Sequence, residues 1–336
     1  MPKRLSLLIA ALFVAGAIAS AGAMPPTSDE FDRRVIGGSQ LYDPAPPAVA
    51  PIAGTSRTIA ALQVLMDRLG ISPGVIDGRD TPRLRAAFAV LRETAIGNRI
   101  AGTRDAVAIA DALAATGGDA FRDYAITEAD IAGPFTPDIP HLYVHQASLA
   151  EIGFRNPREM LAERFHMDEA YLAALNPDAD FNAAGTIITV ADPGRDLQRR
   201  VARIEASKST RQVRAFDAKG ALVAVYPASI GSAATPSPTG TFTVRNKAQD
   251  PRYTYDPRGS AQPGLADGLV LLPPGPNGPV GNAWIGLSKR TYGIHGTPEP
   301  ARIGRAESVG CIRLTNWDAL ELARLVRRGV KVTIGD

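Results

Sequence analysis

The chain has 336 residues, 45% of them hydrophobic and 21% charged, with 37 Lys plus Arg against 34 Asp plus Glu. That length predicts more than one domain. The formal charge is +3, and without Lys3 and Arg4 it is 3 − 2 = +1, so no electrostatic footprint for nucleic acid is present.

Lys3 and Arg4 precede an apolar run from Leu5 to Ala19 and then Ala21-Gly22-Ala23. These are the charged region, apolar region and small-residue cleavage site of a secretory signal peptide over residues 1–23. The rival reading is an uncleaved anchor, because small and apolar residues continue to Met24 and a spanning helix needs about 20 of them. No cysteine near the N-terminus offers a lipid attachment point, and no later segment reads as a membrane span. The expected location is the periplasm. Residues 24–56, with Pro25-Pro26, Pro46-Pro47 and Pro51, read as a linker.

Over residues 57–97, Ile59, Leu62, Leu65, Met66 and Leu69 recur at helical spacing, and Gly70 fits the stop. Thr81-Pro82 opens a second helix as cap and first-turn proline, with Leu84, Ala87, Phe88 and Leu91 inward. Such a stripe also fits any helical hairpin core. The stretches Ala61-Leu62-Gln63-Val64-Leu65, Pro73-Gly74-Val75-Ile76-Asp77-Gly78 and Arg85-Ala86-Ala87-Phe88 together resemble the peptidoglycan-binding domain 1 family. Residues 98–140 read as a helix over Ala106–Ala114, ended by Gly117-Gly118, and then an extended linker.

Within 141–192, Asn156-Pro157-Arg158-Glu159 starts a helix. Met167–Leu175 forms a second, stopped by Asn176-Pro177, and Gly185–Val190 reads as a strand. Leu172-Ala173-Ala174-Leu175-Asn176-Pro177 followed by Ala184–Val190 resembles the second half of a LysM glycan-binding module. The usual strand directly before the first helix is missing. His141 and His145 stand four apart, but the chain around them reads as extended and no further ligands follow at motif spacing, so no metal is expected. His166 reads as capping or packing a helix end.

Residues 200–336 are β-rich. Gln212–Asp217 and Ala221–Tyr226 flank a hairpin turn at Ala218-Lys219-Gly220. Thr241–Val244 and Lys331–Ile334 are further strands. One helix is predicted, with Thr315 and Asp318 at its start, Leu320, Ala323 and Val326 as its stripe, Arg327 and Arg328 at its end and Gly329 as its stop. Short strands with turn-rich links predict a sandwich or a partly open barrel.

Cys311 is the single cysteine and lies sixteen positions after His295. It is either an inert buried thiol or a nucleophile. A thiolate attacks carbonyls, and an imidazole can take its proton and return it to a leaving amine. His295 is the candidate base. Gly310 frees the backbone N–H groups of Val309, Gly310 and Cys311 to face an oxyanion. Arg313 can pair with a carboxylate, and Ser308 either contacts substrate or bonds local backbone. Trp284, Tyr253 and Tyr292 read as packing.

Ile294-His295-Gly296-Thr297-Pro298 with Ser308-Val309-Gly310-Cys311-Ile312-Arg313-Leu314 resembles the YkuD-type L,D-transpeptidases. Pro236-Ser237-Pro238-Thr239-Gly240-Thr241-Phe242 is similar to that family's Thr-Pro-x-Gly-x-Phe stretch. The resemblance implies a β-rich catalytic domain, preceded here by small α-helical and α+β wall-binding modules. It also implies a Cys311 thioester on a peptidoglycan tetrapeptide stem, with the Gly296 carbonyl orienting His295 and no cofactor. The amine of a second stem, or of an outer-membrane protein lysine, would resolve the thioester. Val309 stands where the family has histidine. A hydrolase on the same scaffold and a non-catalytic wall-binding protein remain as alternatives.

Overall fold

A computed structural model of the chain describes residues 54–232, 235–256, 268–305, 308 and 310–336. The expected signal peptide, nearly all of the linker after it, and Val309 lie outside the described residues.

Helix α1 (Arg57–Arg68) is capped by Ser56, and α2 (Pro82–Leu91) by Thr81, whose hydroxyl accepts from Leu84 N at 3.1 Å. The turn between them is organised by one polar residue inside the apolar stripe. Gln63, 1% exposed, donates to Asp77 Oδ1 at 2.8 Å and accepts from the N–H groups of Asp77 and Gly78. Helix α3 (Ala106–Thr116) follows, closed by Gly117.

The extended linker expected next is structured instead. Strand β1 (Phe121–Ala125) and helix α4 (Glu128–Ala132) occupy it, and Thr127 and Asp130 form a reciprocal capping box. His145, expected in extended chain, lies in the single turn α5 (Tyr143–Gln146). Helices α6 (Pro157–Arg164) and α7 (Glu169–Leu175) lead to β2 (Ile187–Ala191), which pairs antiparallel with β1 from Phe121↔Ala191 to Ala125↔Ile187. Arg68 ties α1 to this pair by donating to the carbonyls of Gly118, Asp119 and Asp192. Most buried apolar residues between Ile59 and Ala191, with Tyr143 and Ile152 among the exceptions, form one hydrophobic cluster, which also takes in Val225.

The remaining strands are β3 (Arg203–Ser207), β4 (Gln212–Phe216), β5 (Leu222–Pro227), β6 (Ser229–Ile230), β7 (Gly240–Gln249), β8 (Tyr253–Tyr255), β9 (Val270–Leu272), β10 (Ala283–Leu287), β11 (Gly293–His295), β12 (Ile312–Arg313) and β13 (Lys331–Gly335). Helix α8 (Asn316–Leu325) precedes β13. Nine of these strands form a sheet in the order β5-β4-β3-β13-β7-β10-β11-β12-β6. Its two edge strands, β5 and β6, are separated by Ala228 alone, so one stretch of chain serves both edges and the sheet nearly closes on itself. Strands β8 and β9 pair separately.

Helix α8 begins as predicted: Thr315 Oγ1 accepts from Asp318 N at 3.2 Å. It ends earlier than predicted, at Leu325, and its inner row is Ala319, Leu322 and Leu325. Arg324 is the basic residue of its last turn, and Arg327 and Arg328 are exposed just beyond its end. Lys247 of β7 donates to Ala323 O at 2.7 Å and Val326 O at 3.0 Å, satisfying terminal carbonyls from across the sheet.

The upstream helices dock on this sheet. Ile71 forms a parallel bridge to Val225 on β5, with Val225 N donating to Gly70 O and Ser72 N to Val225 O, each at 2.8 Å. Ser72 Oγ donates to Asp318 Oδ2 at 2.9 Å. His166 pairs with Asp67 at 2.6 Å and stacks on Trp317 of α8. No described helix is long and apolar enough to cross a membrane.

Candidate active site

Strands β10, β11 and β12 lie side by side, and strand alternation sorts their side chains onto two faces. Ile285 pairs with Ile294, and Ile294 with Ile312, and all three enter the core of the sheet. Trp284 pairs with His295, and His295 with Arg313, so these three share the opposite face. Cys311 immediately precedes β12, in phase with Arg313. It packs in a cluster with Trp284, Tyr253, Tyr255, Leu272, Val280, Ile152 and Tyr143.

His295 is fully buried. Its Nδ1 lies 2.7 Å from Gly296 O. A carbonyl only accepts, so Nδ1 carries the proton and the neutral ring presents a lone pair at Nε2. That Nε2 is buried without a hydrogen-bond partner. The Trp284 ring stacks on the imidazole at 5.6 Å and 18°. Burial pushes the imidazole down to about 3, the Arg313 charge adds to this, and the Gly296 carbonyl opposes it.

Burial likewise pushes the Cys311 thiol up to about 11, against a Gly293 N–H and the Arg313 charge, which both lower it. Sγ donates to Thr291 O at 3.6 Å. Thr291 has φ 69, a strained left-handed backbone for a β-branched residue, at the point where its carbonyl meets the thiol. The resting pair is therefore a neutral thiol and a neutral imidazole in a buried site.

The loop before Cys311 is braced from a distance. Gly310 has φ 94, a backbone region open to glycine. Ser237 Oγ donates to Gly310 O at 2.7 Å. In a trans peptide the carbonyl and N–H point in opposite directions, so this anchor turns the Cys311 N–H away from Ser237. Ser237 of the Pro236–Phe242 stretch thus fixes the orientation of the Gly310–Cys311 peptide.

Residues 201–334 match the family model for YkuD, the L,D-transpeptidase catalytic domain. A Bacillus licheniformis protein named as the L,D-transpeptidase YkuD is 33% identical over 177 residues, which cover 52% of this chain and 92% of that protein.

The chain belongs to the L,D-transpeptidase family.

The YkuD protein of Bacillus subtilis is 39% identical over 109 residues, covering 32% of this chain and 51% of that protein. ErfK/SrfK of Escherichia coli is 36% identical over 123 residues, covering 34% of this chain and 37% of that protein. A crystal structure of L,D-transpeptidase 3 from Mycobacterium tuberculosis overlaps 46% of this chain and 76% of that one, with 19% identity and a TM-score of 0.34.

In this L,D-transpeptidase the structure brings Cys311, His295, Gly296, Gly310 and Arg313 together. Ser308, read as either a substrate contact or a local backbone bond, makes backbone bonds. It is 2% exposed, its hydroxyl accepts from Gly231 N and donates to Cys311 O, and Thr235 Oγ1 bonds its carbonyl. The hydroxyl braces the loop and has no donor left for substrate. Trp284 and Tyr253 pack in the Cys311 cluster and Tyr292 packs against Gly310, in line with their reading from sequence as packing. Tyr143 was missed because it reaches the cluster from α5, far upstream of any motif.

A cleft of about 430 Å³ opens elsewhere, between α1, α6 and α8, lined by Asp67, Glu163, His166, Trp317, Asp318 and Glu321 among others. None of the sequence-predicted site residues lines it. Among the described residues no cluster of His, Cys, Asp or Glu could hold a metal ion.

Proposed function

We propose that this L,D-transpeptidase uses Cys311 to attack the carbonyl before the terminal D-alanine of a peptidoglycan tetrapeptide stem. The thiol proton passes to His295 Nε2 as sulfur bonds to carbon. The amide C–N bond breaks, the proton returns to the departing D-alanine amine, and a thioester remains. An acceptor amine then attacks, gives its proton to His295, and releases the thiolate, which that proton restores to thiol. The backbone N–H groups of Gly310 and Cys311 serve the developing oxyanion, and Arg313 pairs with a stem carboxylate.

The observation that carries this reading is the His295 tautomer. Its Nδ1–H is committed to Gly296 O, and its unpartnered Nε2 lies on the same sheet face as the chain's single thiol. Exposure of 0% at His295 and 8% at Cys311 supports an amine acceptor over water. Incubation with tetrapeptide muropeptides tests this by mass spectrometry. Cross-linked dimers are the expected product, and tripeptides alone would identify a hydrolase. An outer-membrane protein lysine added to the same assay reports on the protein acceptor.

Upstream, residues 57–97 and 141–192 are read as wall-binding units joined by 98–140, before a catalytic domain at 200–336. Pairing of β1 with β2 around α6 and α7 supports the LysM-like part, since it supplies a strand ahead of those helices. The Lys3–Ala23 pattern supports export to the periplasm. Binding to glycan would raise the local concentration of stems. The whole chain carrying Cys311→Ala is expected to pellet with purified sacculi. Recovery in the supernatant would remove the glycan-binding reading.

A further inference from the structure

The carbonyl that accepts from His295 belongs to the Gly296–Thr297 peptide. The N–H of that same peptide, on Thr297, donates to Asn316 Oδ1 at 3.0 Å. Asn316 is 1% exposed and sits at the first position of α8. Its Oδ1 approaches so closely that a Cβ on Gly296 would stand 2.2 Å from it, and one on Gly281 would stand 1.9 Å from it. Both positions therefore need glycine. Asn316 Nδ2 donates to Pro276 O at 3.1 Å and to both carboxylate oxygens of Glu163, at 2.9 and 3.2 Å.

Glu163 comes from the upstream part of the chain, outside residues 201–334. It stands in the last turn of α6, where the helix dipole disfavours a negative charge. Burial, with Glu159 nearby, pushes its carboxyl up to about 8, and the Asn316 hydrogen bond opposes this. Local helix energetics give no reason for an acid there. Its two oxygens instead terminate an unbroken chain: imidazole N–H, peptide carbonyl, peptide N–H, amide oxygen, amide N–H, carboxyl oxygens. Each bond in such a chain polarises the next.

We infer that Glu163 is a positioning residue for His295, acting through Asn316 and the Gly296–Thr297 peptide. It takes the place of the acid that orients histidine in a three-residue triad, but through two intervening amides and from a different part of the chain. A carboxyl group accepting from Asn316 Nδ2 at the end of this chain strengthens the Gly296 carbonyl as acceptor. It thereby holds the Nδ1–H tautomer and the ring angle. The inference rests on the proposed role of His295 as base.

Two readouts on the whole chain separate the two claims. The first is the Nδ1–H resonance of His295 in ¹⁵N-histidine-labelled protein, assigned by its loss in His295→Gln. The second is the rate of Cys311 acylation by a carbapenem, followed by intact mass. Glu163→Ala is expected to move the resonance upfield and to slow acylation about 10- to 100-fold, the scale of a small misplacement of a reacting group. Glu163→Gln keeps an acceptor for Asn316 Nδ2 and should recover most of both. Asn316→Ala should match Glu163→Ala, and the double variant should be no slower than either. If Glu163→Ala folds and leaves the resonance unmoved, the inference is overturned. If the resonance moves as expected but the wild type is never acylated, the positioning claim stands and the nucleophile reading falls.

Discussion

Cys311→Ala abolishes covalent capture of a carbapenem: the wild type gains the mass of one inhibitor and the variant gains none. The chain has no second cysteine to substitute for it. Loss of a nucleophile that works as a unit with its base lowers turnover by roughly 10⁴-fold or more. The fold should survive. Removing one sulfur from a cluster lined by Trp284, Tyr253 and Tyr143 costs on the order of 1 kcal/mol. The variant should therefore keep its wild-type circular dichroism while cross-linking activity vanishes. A wild type that stays unmodified and turns over nothing would instead favour a wall-binding protein without catalysis.

His295→Gln has the second-largest effect, and pH separates it from simple misfolding. With the thiol near 11 and the imidazole near 3, neither group ionises between about pH 5 and 9. Wild-type acylation should be nearly flat across that window, because the proton moves to Nε2 only as the electrophile arrives. His295→Gln should be about 10²- to 10⁴-fold slower at pH 7. Its residual rate should climb about tenfold per pH unit as thiolate forms. A wild-type rate that climbs in the same way would mean a preformed thiolate and no base. Stability follows the same shift. The folded state prefers neutral His295, so this contribution is complete above the ordinary value of 6.5 and is lost as pH falls toward 3. Urea midpoints between pH 7 and pH 4 should fall less steeply in His295→Gln than in wild type.

The parts of the site legible in sequence are those that lie close together in it. His295, Gly296, Gly310, Cys311 and Arg313 fall within nineteen positions, and a short parallel pairing of β11 with β12 closes them into one face. The cap at Thr315 was legible for the same reason. Residues that act across the fold were not. Lys247 ends α8 from β7, Tyr143 enters the Cys311 cluster from α5, and Glu163 meets Asn316 across 153 positions. Strand β1 was hidden because Phe121-Arg122-Asp123-Tyr124-Ala125 is half-exposed and lacks an apolar alternation, its pairing being set by β2 rather than by its own sequence. Ser308 was legible only as two alternatives, because a hydroxyl beside a nucleophile suits chemistry and backbone bonding alike, and its bonds to Gly231 and Cys311 hold the loop.

The bridge from Ile71 to Val225 has a consequence for how this molecule behaves in pieces. Gly70 and Ser72 occupy the free N–H and C=O of Val225, on an edge strand of the nine-stranded sheet. An open edge of this kind recruits other chains by strand addition. A fragment holding only residues 201–334 would present Val225 bare, without the Ile71 strand segment that bridges it. Upstream residues thus serve as an intramolecular guard against self-association, a duty separate from any affinity for the wall. Proteolytic loss of that guard would expose this edge as a template for strand addition.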